Sequence, residues 1–171
     1  SRRRHTRYIS VTGVQTCALP ISATIAKSRQ DRRFTIKSDR LETLDFGATF
    51  AATCPDLALE ELVFEPKRSA MGEWDPDQLA SSLVDLQAKH RVPVRLAFPT
   101  VIRAWDEPLL KRWFQVAANH GIRAYEVGNV GALELLSQWQ LPSSDLTSDF
   151  TLYSLNSAAS RELRRLGIGR V

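Results

Sequence analysis

Cysteine is scarce in this chain: only Cys17 and Cys54 occur among its 171 residues. Cys17 falls in a terminal stretch of separate origin, described below, which leaves Cys54 alone. One cysteine makes neither an internal disulfide nor a thiolate cage for a metal. Long apolar runs are also missing, and none approaches the roughly 18 residues of a membrane span. No phosphate-loop signature, zinc-spaced histidine pair or GxSxG elbow occurs. These absences leave a cytoplasmic protein with no membrane partner and no metal site as the default expectation.

The first 21 residues carry no fold information. VTGVQTCALPI at positions 11–21 matches the translation of a common sequencing-library adapter. SRRRHTR at 1–7 matches the accompanying primer in the same frame, with the variable index between them. A basic, acid-free start also resembles a targeting presequence, but the agreement of both flanks favours the adapter. The exclusion changes the charge. Arg2, Arg3, Arg4 and Arg7 leave with the tail, so 23 basic residues become 19 against 19 acidic, and a formal charge of +4 becomes zero. The basic character therefore gives no support to attraction for DNA, RNA or membranes.

Residues 22–33 are polar and charged and read as a linker into a domain over 34–171. Apolar strand-like runs and amphipathic helical runs then alternate. FTIK at 34–37 alternates as a short strand. Ser38 or Asp39 is placed to cap a helix through LETLDFGA. A second strand is expected at 62–65, and a helix follows with Asp75 as its cap and Pro76 at its first position. Strands at 92–98, 122–127 and 150–152 come next. Helices are expected from EPLLKRWFQVAANHG, closed by Gly121, from 132–139, and from SAASRELRRLG, capped by Asn156 or Ser157. Residues 168–171 begin one more strand. Short connections between alternating elements imply parallel pairing through crossover helices. The fold class is α/β: alternating β/α units with a parallel sheet, a partial TIM-like barrel. Five strands and the start of a sixth are too few for eight.

In parallel β/α folds the chemistry sits at the carboxyl ends of the strands. The positions that follow the strands are Glu65, Thr100, Arg103, Glu126, Gly128, Asn129, Tyr153 and Asn156. Of these, Arg103, Glu126, Asn129, Tyr153 and Asn156 are the candidate substrate-binding residues; no catalytic residue is assigned. Plainer readings stand beside them. Asn129 and Asn156 serve equally as helix caps, and Arg103 as a surface partner of Asp106 or Glu107. His90 and His120 end helices and suit the dipole. Cys54 is a bystander. The Trp and Phe residues sit at helical spacing and read as core, and Glu60 and Glu61 as a solvated rim.

VGNVGALELL followed by SDFTLYSLNSAASRELRRLGIGRV resembles the peptidase U32 family, the collagenase-like peptidases. Asp149, Phe150, Thr151, Leu152, Asn156, Ser157 and Ala159 match one family block, and Gly167, Arg170 and Val171 match its tail. RLAFPTVIRAWDE and FTIKSDRLETL resemble further segments. Tyr153 and Thr100 depart from the common pattern. The resemblance implies a barrel-like domain from an enzyme that cleaves collagen-like peptides, or that hydroxylates transfer or ribosomal RNA bases with an iron–sulfur cluster. Those cluster cysteines lie mostly beyond the matching region, so no cofactor is expected within this chain. Peptide or RNA is the implied substrate of a full-length parent, and the chain alone is expected to be inactive. The alternative is a non-catalytic β/α module that binds RNA or a protein partner.

Overall fold

The computed structural model describes residues 33–54, 58–67, 74–142, 145–152 and 156–171. The adapter-like tail, the linker up to position 32 and Tyr153 lie outside these residues. All the described residues belong to the unit Arg33–Val171.

Among the described residues five strands alternate with five helices: β1 (Arg33–Ser38), α1 (Leu41–Ala52), β2 (Ala58–Phe64), α2 (Pro76–His90), β3 (Val94–Ala97), α3 (Glu107–Asn119), β4 (Ala124–Val127), α4 (Val130–Gln138), β5 (Asp145–Ser148) and α5 (Ser157–Arg165). All neighbouring strands pair in parallel and lie in chain order, β1-β2-β3-β4-β5. Sequential order with helical crossovers is the topology of a barrel rather than of a doubly wound sheet. The sheet is a curled half-barrel. Two ion pairs across its concave face require the curl. Lys37 on β1 reaches Glu126 on β4 at 2.6 Å, and these strands would stand about 14 Å apart in a flat sheet. Arg170, beside β5, reaches Glu61 on β2 at 2.5 Å.

The alternation of side chains divides the sheet. Leu62 and Phe64, Val94, Leu96 and Phe98, and Tyr125 and Val127 belong to the apolar core shared with the helices. Leu44 from α1, Leu83 from α2 and Phe114 from α3 complete it. Phe98 and Phe114 pack with ring centroids 3.9 Å apart. Full burial of such side chains contributes about 1.5–3 kcal/mol each. The residues between them, including Lys37, Glu61, Arg95, Glu126 and Thr147, take the concave side.

Several elements differ from the sequence-based expectation. The fifth strand is Asp145–Ser148, not 150–152, which form a 3-10 turn. Asp149 explains the change: its side chain accepts from the Phe150 N–H at 2.7 Å, and its carbonyl accepts from the Leu152 N–H at 3.1 Å. That local bonding competes with the ladder. The polar DLTS run gave no apolar signal because its concave positions meet charges. Neither Ser38 nor Asp39 caps α1. Its N-cap is Arg40, without a side-chain cap, while Ser38 Oγ accepts from the Arg40 N–H and Asp39 pairs with Lys67. Asp75 occupies the N-cap of α2 without a side-chain bond, and Pro76 stands in its first turn. Gly121 adopts the expected left-handed conformation, with φ +92°. Residues 168–170 do run along β5, through one parallel bridge from Thr147 to Arg170.

Candidate functional site

Four charged side chains from four strands meet at the carboxyl end of the sheet. Lys37 Nζ lies 2.6 Å from Glu126 Oε1, 3.0 Å from Asp149 Oδ2 and 3.1 Å from Glu65 Oε2. Lys37 is next to last in β1, Glu65 follows β2, Glu126 is in β4 and Asp149 follows β5. Parallel pairing brings these ends together, and the curl closes the gap between β1 and β5. Glu126 is 8% exposed. Burial pushes its carboxyl above the ordinary glutamate range, with the Lys37 hydrogen bond and charge pulling it back in part. For Lys37, burial works against the charge, but hydrogen bonds to Glu126, Asp149 and Glu65 outweigh it and hold the ammonium well above its ordinary range. Lys37 is thus a locked cation rather than an amine nucleophile. With all groups ionised, one cation faces three carboxylates, a formal charge of −2.

The loops hold this centre in place. The Phe98 N–H donates to the Glu126 carbonyl at 2.8 Å, and the Asp149 N–H to the Val127 carbonyl at 2.9 Å. Thr151 Oγ1 donates to the Gly128 carbonyl at 2.8 Å. A Cβ on Gly128 would stand 2.9 Å from that same Oγ1, so this position needs glycine for close approach.

Two clefts flank the centre. One, of about 420 Å³, is lined by Lys37, Asp39, Glu65, Lys67 and Pro99. The other, of about 490 Å³, is lined by Thr100, Ile102, Arg103, Asn129, Gly131 and Leu135. The rim is apolar: Val101, Trp105, Val130 and Phe150 are all exposed, and the Arg103 guanidinium sits 5.4 Å over the Trp105 ring. Trp105, Phe46 and Phe50 are therefore not core, although Trp113 and Trp139 are.

The sequence-predicted residues divide. Glu126 enters the charged centre. Arg103 and Asn129 share the second cleft. Asn129 caps α4, accepting from the Ala132 N–H at 2.9 Å, and also donates to the Thr100 carbonyl at 2.9 Å. Asn156 caps α5 through Ala158 and Ala159. Lys37 and Asp149 were not among the residues expected from sequence, because their encounter depends on strands far apart along the chain. Glu61 is no solvated rim. It is 5% exposed and pairs with Arg95 at 3.0 Å and Arg170 at 2.5 Å. Arg95 also binds the Asp145 carboxylate and donates to the Tyr125 carbonyl at 2.9 Å. This second charged group lies on the same concave face, and the Arg95 charge acts on Glu126 of the first.

No family model matches the sequence, and no curated protein matches it.

Among the described residues no three His, Cys, Asp or Glu side chains are arranged to hold a metal ion. The donor set of an iron–sulfur cluster is thiolate. The single described thiol, Cys54 in the turn after α1, does not fit it. No helix among the described residues is long and apolar enough to cross a membrane.

Proposed function

We propose that this chain supplies the substrate-binding half of a U32-like β/α-barrel enzyme, and that the substrate is a peptide. The observation that supports this reading is the convergence of Lys37, Glu65, Glu126 and Asp149 at the carboxyl ends of the strands. Barrel enzymes place their chemistry at that face. An excess of carboxylate repels the phosphates that dominate affinity for nucleic acid, whereas peptide N–H groups and ammonium ions meet acceptors. Glu126 is the group suited to proton transfer, because its raised carboxyl is pushed toward the operating pH. Lys37 orients it. The exposed Trp105 and Phe150 side chains give apolar side chains a place to rest. The five described strands do not enclose a complete barrel, so the isolated chain is expected to bind without turnover.

Fluorescence anisotropy on the purified chain tests this, with a labelled collagen-like peptide and a labelled single-stranded RNA of similar length. The peptide is expected to bind more tightly. Glu126→Gln is expected to weaken peptide binding about tenfold, which is about 1.4 kcal/mol, with far-ultraviolet circular dichroism showing the fold retained. Tighter binding of the RNA overturns the peptide reading, and cleavage of gelatin by the chain alone overturns the inactive-half reading.

A further inference from the structure

Thr147 carries a hydroxyl that the folded chain does not use. It lies in β5 on the concave side, and its register partner on β4 is Glu126. Parallel neighbours stand about 4.8 Å apart, so the two side chains rise side by side from the sheet. Thr147 Oγ1 is buried and has no hydrogen-bond partner among the described residues. A buried polar atom in that condition is costly and calls for an explanation. The groups around it are committed elsewhere. Asp145 and Asp149 stand two positions to either side of Thr147. Arg95 binds the first, while Lys37 and the Phe150 N–H bind the second. Across the bridge from Thr147, Arg170 pairs with Glu60 and Glu61.

Glu126 has opposite needs in its two protonation states. As a carboxylate it only accepts, and Lys37 Nζ serves it at 2.6 Å. Once protonated it has an O–H to donate. Lys37 presents three donors and no acceptor, so it cannot receive that bond. Neither can Arg95 on β3, whose charge also acts on Glu126. Glu65 and Asp149 are both bound to Lys37. The Thr147 hydroxyl is uncommitted, and a hydroxyl accepts as well as it donates. A strand accommodates more than one χ1 rotamer, so Oγ1 can turn toward Glu126 without a change of backbone.

We propose that Thr147 is a positioning residue for the acid form of Glu126, accepting the carboxyl O–H when Glu126 takes up a proton. One proton enters at Glu126, Lys37 keeps its own, and the formal charge of the centre rises from −2 to −1. The ionised arrangement holds Glu126 on Lys37 and leaves Thr147 idle, which is the arrangement observed. The protonated arrangement holds the proton in one orientation until a substrate withdraws it. This role rests on Glu126 being the proton-transferring group of the proposed function, whatever the substrate.

Carbon-13 NMR titration of the side-chain carboxyls, on the full chain without ligand, tests the role. The Glu126 resonance is the one lost in Glu126→Gln. Thr147→Val removes the acceptor and is expected to lower the Glu126 pKa by about half to one pH unit. Thr147→Ser keeps the hydroxyl and is expected to hold the parent value. Thr147→Ala makes the same comparison if the valine variant does not fold. A Glu126 pKa that ignores loss of the hydroxyl overturns the proposal, and so does an equal fall in Thr147→Ser. Failure of the labelled peptide to bind leaves this titration untouched, so the two readings fail separately.

Discussion

Asn129 and Asn156 occupy equivalent places, each at the start of a helix after a strand–turn passage, yet they bear different loads. Asn156 uses one oxygen to satisfy two backbone donors of α5. Its replacement by alanine is expected to cost about 1 kcal/mol. Asn129 caps α4 and also ties the β3 loop through Thr100, so Asn129→Ala is expected to cost about 1 kcal/mol more. Urea titrations of the two variants check the order; equal losses would show that the Thr100 bond carries no weight. The asparagines were readable as caps because capping is a local matter of residue type and spacing. Glu126 was readable because it follows an apolar run in a parallel sheet. Lys37 was not. Its partners Glu126 and Asp149 stand 89 and 112 residues away, and no local pattern records that distance.

At the scale of elements, the alternation of strands and helices was plain, since buried parallel strands and amphipathic helices have different periods. The fifth strand was hidden because half of it faces charge. Arg95 on β3 holds Glu61 on β2 and Asp145 on β5, and so fastens three strands from the concave side. Its side chain is 2% exposed. Arg95→Met is expected to destabilise the fold by about 3–5 kcal/mol, because Glu61 is left buried with less compensation. Arg95→Met combined with Glu61→Leu is expected to recover part of that loss. Thermal melts of the single and double variants decide; a double variant as unstable as the sum of the two singles would refute the coupling. The loop after β4 follows similar logic. Gly128 and Thr151 are joined side chain to backbone in too little space for a Cβ. This gives physical content to a glycine that sequence could only describe as permissive.

For the whole molecule, the curl depends on charge that survives to high pH. Lys37 connects β1 to β4 and the end of β5, and its folded-state value lies above the ordinary 10.5. A raised lysine contributes stability that is complete below pH 10.5 and is lost as the pH rises through the folded value. Burial raises the Tyr125 phenol from 10.0 to about 12. The unfolded chain then releases this proton before the folded one, so stability falls between pH 10 and 12. Both groups act in the same direction. The urea midpoint is expected to drop across that window, and Tyr125→Phe to reduce the drop. A Tyr125→Phe variant with an undiminished slope would contradict this assignment.

The charged concave face has a consequence for how this sequence can vary. Most barrel interiors are filled by branched aliphatic side chains and constrain volume: one bulky residue is exchanged for another of the same size. Here the constraint is on charge balance. A change at Glu61, Arg95, Asp145 or Arg170 is acceptable only if a partner on another strand changes with it. Related sequences should therefore differ at these positions in linked sets of opposite sign, while residue size drifts with little effect.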